Sequence, residues 1–371
     1  MANDICIRET LSGLKFLLAE EQEVFVIYDE NASWVAQEVV EAIRKAGGPT
    51  AVRSCIGLET SEEEKTMETV LALERQLLEA DATRGALLVA VGGGITTDLV
   101  GFTAAIYKRG VRYANVPTTL LAMVDASIGG KTGVNLDDYK NMLGAFRMPE
   151  FTYLCPEPLR TLPERECKAG LAEMLKTFLL ADGPLYGEAV RFFATAQNDR
   201  GAGAKMAQNA PGTAEMATCG AKSAPNAPGV QRFIEAAARI KAQIVERDPL
   251  EGGERAKLNL GHSFGHAIEH EARQRGTDIS HGEAVAMGII LAAELSERLD
   301  VAQKGLSAQL EADFTRLGLP VESPFPVEDL VEALRKDKKA APGGQVKFVL
   351  LRAPGDVVLQ ELPYDCYLHT K

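Results

Sequence analysis

The spacing of apolar positions divides the chain into two dissimilar halves. Glu23-Val-Phe-Val-Ile-Tyr-Asp29 is a short continuous apolar run closed by a polar turn, the pattern of a strand buried on both faces of a parallel sheet. Helical spacing follows over residues 34–45. A second strand over 50–56, a helix over 62–80 and a third strand, Ala86-Leu-Leu-Val-Ala-Val91, repeat the unit. This alternation predicts an α/β domain of the doubly wound, Rossmann-like kind over residues 1–150, with ligands at the carboxyl ends of its strands. Past residue 150 the strand signals fade. Helices are predicted over 164–180, 232–246, 263–273, 283–299 and 307–317, so residues 151–371 read as a mainly α-helical domain. Apolar runs at 347–351 and 356–360 flank Ala-Pro-Gly and predict a small hairpin. Residues 198–229, rich in Ala, Gly and Pro and poor in aliphatic side chains, read as a flexible surface insertion, with a lid or partner-binding loop as the alternative.

With 46% hydrophobic and 25% charged residues, the 371-residue chain has a globular composition and the length of two domains. No run of about 18 apolar residues marks a membrane span. The leading Met-Ala-Asn-Asp-Ile-Cys lacks the basic and apolar regions of a signal peptide, so a cytoplasmic location is expected. The six cysteines are scattered without a Cys-x-x-Cys pair and suggest neither a disulfide framework nor a thiolate zinc site. A net charge of -12 counts against a nucleic-acid partner. Any anionic ligand must be met by a local basic cluster.

Four of the five histidines fall between residues 262 and 281. His262, His266 and His270 recur every fourth position and share one helix face, while His281 lies beyond that helix. Imidazole suits Zn²⁺, and a catalytic zinc takes three protein ligands, often one carboxylate among them. The spacing admits a metal site, and equally surface or satisfied core histidines. The pattern His-Glu-x-x-His is absent, which removes the main support for a metallopeptidase. Strand three runs into Gly92-Gly93-Gly94, a turn that lets a phosphate approach the amides of the next helix. It is not the Gly-x-Gly-x-x-Gly fingerprint, and a plain strand-to-helix turn accounts for it equally. Gly129-Gly-Lys-Thr132 resembles a P-loop only superficially, since it follows a predicted helix and lacks the required glycine spacing. Lys131, Lys140 and Asn141 offer donors for a phosphate or carboxylate, or are solvated surface groups. Glu173, with Lys176 one turn on, falls among apolar neighbours and calls for a metal or an ion-pair partner. Lys241, Arg255 and Asn259 closely precede His262, which predicts a basic patch and candidate ligands in one cleft.

Together these segments carry a resemblance. Gly-Gly-Gly-x-x-x-Asp98, Tyr107-Lys-Arg-Gly, Val116-Pro-Thr-Thr-Leu-Leu-Ala, Val124-Asp-x-Ser-x-Gly-Gly-Lys-Thr-Gly-Val-Asn135, Lys140-Asn-Met-x-Gly-Ala-Phe, Thr161-Leu-Pro-Glu-Arg-Glu, Ala169-Gly-Leu-Ala-Glu, Gly261-His-Ser-Phe-Gly-His-Ala-Ile-Glu and His281-Gly-Glu-Ala-Val-Ala-Met-Gly occur in the order found in 3-dehydroquinate synthases. The resemblance runs from about residue 24 to 351. It implies a dehydroquinate synthase-like fold, with Zn²⁺, or Co²⁺ in its place, held by Glu173, His262 and His281. His266 is then a proton-transfer residue, with Lys131, Lys176, Arg255 and Asn259 beside it in catalysis. NAD is implied against Asp29, Asn31, Glu62, Lys65, Gly93, Gly94, Ile95, Asp98, Thr118, Thr119, Asp125 and Lys140. Substrate contacts fall to Lys131, Asn141, Lys176, Lys241, Arg255, Asn259 and His266, with one further lysine, Lys338 or Lys339. Arg109 would reach in from the second subunit of a homodimer.

The substrate implied is 3-deoxy-D-arabino-heptulosonate 7-phosphate, whose phosphate and carboxylate account for many basic groups in an acidic protein. In such enzymes of the shikimate pathway to aromatic amino acids, NAD⁺ transiently oxidises C5, phosphate leaves by β-elimination, the hydride returns, and ring opening with aldol closure yields 3-dehydroquinate. Some positions depart from the family pattern. Ile95-Thr-Thr97 stands where Val-x-Gly is usual, Ser263 replaces Thr, Asp248-Pro249 stands where Asp-Glu is commoner, and the interval from His262 to His281 is slightly long. The rival readings are a sugar phosphate cyclase acting on sedoheptulose 7-phosphate or glucose 6-phosphate, a polyol dehydrogenase of the glycerol dehydrogenase kind, and an inactive binding protein. Lys241, Arg255 and His266 favour the carboxylate-bearing substrate.

Overall fold

The computed structural model describes residues 4–18, 23–46, 51–137, 139–195, 229–336 and 345–369. These fall into two compact units, one holding the described residues up to Pro163 together with 229–246, the other holding 164–195, 247–336 and 345–369.

The first unit is built on six parallel strands. Chain order gives β1 (Asp4–Ile7), β2 (Glu23–Asp29), β3 (Ala51–Leu58), β4 (Leu87–Gly92) and β5 (Arg112–Pro117), then an antiparallel pair, β6 (Lys131–Leu136) and β7 (Tyr139–Phe146), and finally β8 (Phe151–Leu154). The large sheet has the order β1-β8-β5-β4-β2-β3. Val24 to Ile27 and Leu87 to Val91 have no exposed surface, as expected of strands covered on both faces. Helix α1 (Ser33–Ala46) lays Val35, Val39 and Ile43 on one face. Helices α2 (Met67–Glu79) and α3 (Gly94–Ile106) cover the other with Val70, Leu73, Leu77, Leu99 and Val100. The unit is therefore doubly wound, as the sequence predicts.

The chain runs from β2 outward to β3, then returns to β4 on the opposite side of β2, so the order reverses between β2 and β4. Tyr28 pairs with Val91, and Gly92 pairs with Pro117. Asp29, Gly93 and Thr118 consequently emerge together at the carboxyl ends of adjacent strands, where open α/β sheets bind ligands.

Several expectations are corrected here. The sheet does not end by residue 150, because β8 inserts between β1 and β5, and helix α6 (Val230–Arg247), expected in the helical domain, groups with the sheet up to Glu246. Helix α2 begins at Met67 instead of 62, since the Thr66 hydroxyl caps it by accepting from the Thr69 amide. The helix expected ahead of Gly129 is a single π-helical turn, Ala122–Ala126, after which Gly129 and Gly130 take positive φ and lead into β6.

The second unit contains α4 (Glu164–Leu180), α5 (185–195), α7 (His262–Arg275), α8 (His281–Arg298), α9 (Leu306–Arg316) and α10 (Val327–Lys336). It ends in the antiparallel hairpin β9 (Gln345–Ala353) and β10 (Asp356–Pro363) and a last turn, α11 (Cys366–His369). Helix α8 is its axis, buried without a break from Ala284 to Ala293. Two glycines let neighbours approach it. A Cβ on Gly282 would overlap the Ala169 backbone of α4, and one on Gly288 would overlap the Gly261 carbonyl ahead of α7. Among the described residues no helix is long and apolar enough to cross a membrane. The expected insertion, apart from Gly229, lies outside the described residues, as do Lys338 and Lys339.

Candidate active site

Glu173, His262 and His281 each come from a different helix of the second unit, and each is placed by a local device. Glu173 lies mid-way along α4 with no exposed surface. His262 opens α7 directly after Gly261, whose φ of +77° a side chain would resist. His281 opens α8 behind a capping box in which the Ser280 hydroxyl accepts from the Glu283 amide while the Glu283 carboxylate accepts from the Ser280 amide. One ligand atom from each of the three lies within 4.8 Å of the others. Nε2 of His281 is 3.3 Å and Nε2 of His262 3.7 Å from Glu173 Oε1.

Burial and the Lys176 charge dominate the electrostatics of this trio. Neither Glu173 oxygen takes a hydrogen bond of good geometry, although both are buried. Lys176, itself 1% exposed, closes an ion pair on Oε2 from one turn away. Burial opposes ionisation of Glu173, yet Lys176 and then the two imidazoles hold its carboxyl well below the usual range. Burial and the Lys176 charge push His262 well below its ordinary value. Burial also works against protonating His281, but Glu173 and Glu269 outweigh it and raise its pKa to about 10. A buried carboxylate and two converging Nε2 atoms match the donor set of a divalent zinc-like ion.

His266 stands one turn beyond His262, its ring 5.5 Å from that of His262 and 6.4 Å from that of His281. His270, a further turn on, pairs instead with Glu271 and takes no part in the trio. The shared helix face thus supplies two of its three histidines to the site. Arg255 and Asn259 lie on the short 3-10 segment Glu254–Asn259 that precedes α7. The Asp248 carboxylate folds the loop before it, accepting from the amides of Gly252, Gly253 and Arg255, and these bonds lower its pKa. Arg255 is 2% exposed and donates to the Pro249 carbonyl at 2.6 Å. At the Asp-Pro departure Pro249 thus supplies a carbonyl to which Arg255 donates. Asn259 donates to Glu251 at 3.0 Å.

Arg165 escaped notice from sequence. It donates to both Glu283 oxygens and to the side chain and carbonyl of Asp278, bracketing His281 from both sides. Its signal lay in the Thr161-Leu-Pro-Glu-Arg-Glu run and in the Ser280-x-x-Glu283 capping pattern.

In the first unit, Gly93 sits at the N-cap of α3 with no side chain capping the helix, so the first amides of α3 remain available to an anion. A Cβ on Gly93 would press on Thr119 at 3.1 Å, and one on Gly94 on Ala126 at 3.1 Å. The Thr118 amide donates to the Gly92 carbonyl and locks the two strand ends together. Despite the Ile95-Thr-Thr97 departure the helix starts normally, with Ile95 partly buried against the core and the Thr97 hydroxyl donating to the Gly94 carbonyl. Lys65, 5% exposed, donates to Asp98 at 2.5 Å and to Asn141 at 2.6 Å. Burial raises the Asp98 pKa against the pull of Lys65. Lys241 binds the Asp125 carboxylate at 2.8 Å and its carbonyl at 2.6 Å. Asp29 accepts from the amide and side chain of Asn31, Lys140 lies 3.9 Å from Glu62, and Lys131 is exposed at the start of β6. Arg109 is exposed, in a strained turn with φ +69°.

Two family descriptions together match residues 55–340 of the chain: 3-dehydroquinate synthase N-terminal over residues 55–169 and 3-dehydroquinate synthase C-terminal over residues 170–340. A 3-dehydroquinate synthase of Acidithiobacillus ferrooxidans is 40% identical over 337 residues, 91% of this chain and 84% of that one. The chain belongs to the 3-dehydroquinate synthase family. A second 3-dehydroquinate synthase, from Nostoc punctiforme, is 35% identical over 95% of this chain and 88% of its own. The synthase is thus a shikimate-pathway enzyme with 3-dehydroquinate synthase activity. Its fold is shared with a 2-epi-5-epi-valiolone synthase from Streptomyces hygroscopicus, solved with NAD⁺ and Zn²⁺ bound, at TM-score 0.81 and 24% identity over 100% of this chain and 95% of that one. A 2-deoxy-scyllo-inosose synthase solved with carbaglucose-6-phosphate, NAD⁺ and Co²⁺ superimposes at TM-score 0.77 and 23% identity, over 99% of this chain and 96% of its own. Both likenesses are of fold.

Proposed function

We propose that the synthase works with one NAD and one divalent metal, Zn²⁺ or Co²⁺, the metal held by Glu173, His262 and His281. The observation that carries this reading is the fully buried Glu173, whose Oε1 faces the Nε2 atoms of two histidines while Lys176 holds its Oε2. When bound, NAD⁺ supplies reversible hydride acceptance at C5 of 3-deoxy-D-arabino-heptulosonate 7-phosphate, and the metal supplies Lewis-acid polarisation. The remaining work falls to side chains. The bare amides after Gly93 and Gly94 bind the cofactor pyrophosphate, with Asp29, Asn31, Glu62, Lys65, Ile95, Asp98, Thr118, Thr119, Asp125 and Lys140 around the nucleotide. Lys131, Asn141, Lys176, Lys241, Arg255, Asn259 and one of Lys338 and Lys339 bind the substrate's phosphate, carboxylate and hydroxyls. His266 exchanges a proton with a substrate hydroxyl through a ring nitrogen. In the β-elimination the leaving phosphate takes the C6 proton on its own oxygen, so the chain orients the phosphate and need not provide a base. Holding the opened ring in a reactive conformer then favours the aldol closure. Arg109 completes the site of a partner subunit in a homodimer, and the enzyme acts in the cytoplasm.

The test is to supply purified protein with substrate, NAD⁺ and Zn²⁺, and to follow phosphate, 3-dehydroquinate and NADH together. Equal release of phosphate and 3-dehydroquinate, abolished by a chelator and without accumulating NADH, is expected. Steady NADH formation, or turnover untouched by exhaustive chelation, would overturn the proposal.

A further inference from the structure

A metal ligand on the first residue of a helix has a problem of aim. His281 follows the extended Ser280, and nothing in its own helix dictates which ring nitrogen turns toward Glu173. The neighbouring helix supplies what is missing. Glu269, 8% exposed, lies seven residues after His262 on α7, two turns along the same face. Its Oε2 stands 3.3 Å from His281 Nδ1, on the side of the ring opposite the Nε2 that faces Glu173. His262 is treated alike. Its Nδ1 is 3.2 Å from the Leu260 carbonyl, and its Nε2 also faces Glu173.

We propose that Glu269 is a positioning residue that fixes the orientation and tautomer of His281 for metal ligation. A carboxylate at Nδ1 holds the proton there, which leaves the lone pair on Nε2. Nε2 is thereby the nitrogen turned to the Glu173 carboxylate oxygen, 3.3 Å away, where a bound cation would take the place of its proton. The carboxylate also makes the imidazole a stronger donor than the Leu260 carbonyl makes His262, so the two histidines are unequal ligands. Glu269 contacts neither substrate nor reacting atoms in this account and acts only through His281.

The inference rests on the proposed metal site, and the experiment separates the two. Zinc affinity is measured by competition with a chromophoric chelator for the parent protein and for Glu269→Ala, Glu269→Gln and His281→Ala, with circular dichroism of each metal-free protein confirming the fold. Loss of affinity of roughly 10- to 100-fold is expected for Glu269→Ala, with substantial recovery in Glu269→Gln, whose amide oxygen still accepts from Nδ1. Cobalt-loaded Glu269→Ala should also show an altered visible spectrum, which a merely structural role would not produce. If His281→Ala loses zinc while Glu269→Ala binds within about threefold of the parent, the role of Glu269 is refuted and the site stands. If His281→Ala retains zinc, the site itself is refuted.

Discussion

Gly282 of α8 lies directly against the Ala169 backbone of α4, with no room for a single added carbon. That contact sets the distance between the helix carrying Glu173 and the residue after His281. The convergence of Glu173, His262 and His281 is thus a product of close helix packing as much as of residue identity.

Substituting Gly282 by alanine therefore separates α4 from α8, because the obstructing atoms are backbone. Overpacking of this kind costs about 1–3 kcal/mol, and the displaced His281 loses its approach to Glu173. We expect a lower unfolding temperature and zinc content well below one per chain. Calorimetry and metal analysis of the purified variant check both, and normal zinc content would count against the packing argument.

Lys176 occupies the Glu173 oxygen that faces away from His281, and both partners are buried. Removing it by Lys176→Ala strands a buried carboxylate, which costs about 3–5 kcal/mol in the metal-free protein. Added zinc then replaces the lost charge, so it should raise the melting temperature of the variant more than that of the parent. Turnover should fall sharply even at full zinc loading. Thermal melts with and without zinc, paired with the phosphate-release assay, give the answer.

The Asp248 loop carries a pH dependence whose sign follows from its lowered pKa. Because the folded-state value lies below the ordinary one, the loop gains its full support above the unfolded aspartate pKa of about 3.9 and loses it as pH falls through the depressed value. The protection of the Gly252, Gly253 and Arg255 amides, taken relative to their intrinsic exchange rates at each pH, should fall in that acidic window. Asp248→Asn should show the faster exchange already at neutral pH, with weaker substrate binding through Arg255 and unchanged zinc affinity.

A valine at Gly93 would drive its side chain into Thr119 and over the first amides of α3. NAD affinity should drop at least about tenfold, a loss of about 1.4 kcal/mol, while zinc binding in the other unit is unaffected. Cofactor titration by protein fluorescence distinguishes this from general misfolding, in which both would be lost.

The strands β2 and β4 and the helices α4, α7 and α8 were legible because each carries an unbroken apolar run or a clean helical period. Strands β1, β5 and β8 were not. β1 and β8 have only four residues each, and Arg112, Asn115 and Thr152 interrupt the apolar character of β5 and β8, the Asn115 amide nitrogen and the Thr152 hydroxyl both donating to the Ser127 carbonyl, which only the fold brings near. The histidine cluster announced a site, but helical spacing alone grouped His270 with it and left His281 outside. The structure reverses that pairing because α8 begins where the chain turns back toward Glu173. The carboxylate ligand was located by family resemblance, since nothing in local spacing links residue 173 to residue 262. Arg165 and Glu269 both stand inside motifs the sequence displays, but they act through contacts over 118 and 12 residues of sequence, which no motif reveals.

The most direct test of the central claim is activity measured against bound zinc per chain, in the parent protein and in His262→Ala. Activity should rise in proportion to zinc up to one equivalent, be absent from the metal-free protein, and remain negligible in the variant at any zinc concentration. Full turnover by the metal-free protein, or by His262→Ala, would contradict the assignment of Glu173, His262 and His281 as the metal centre.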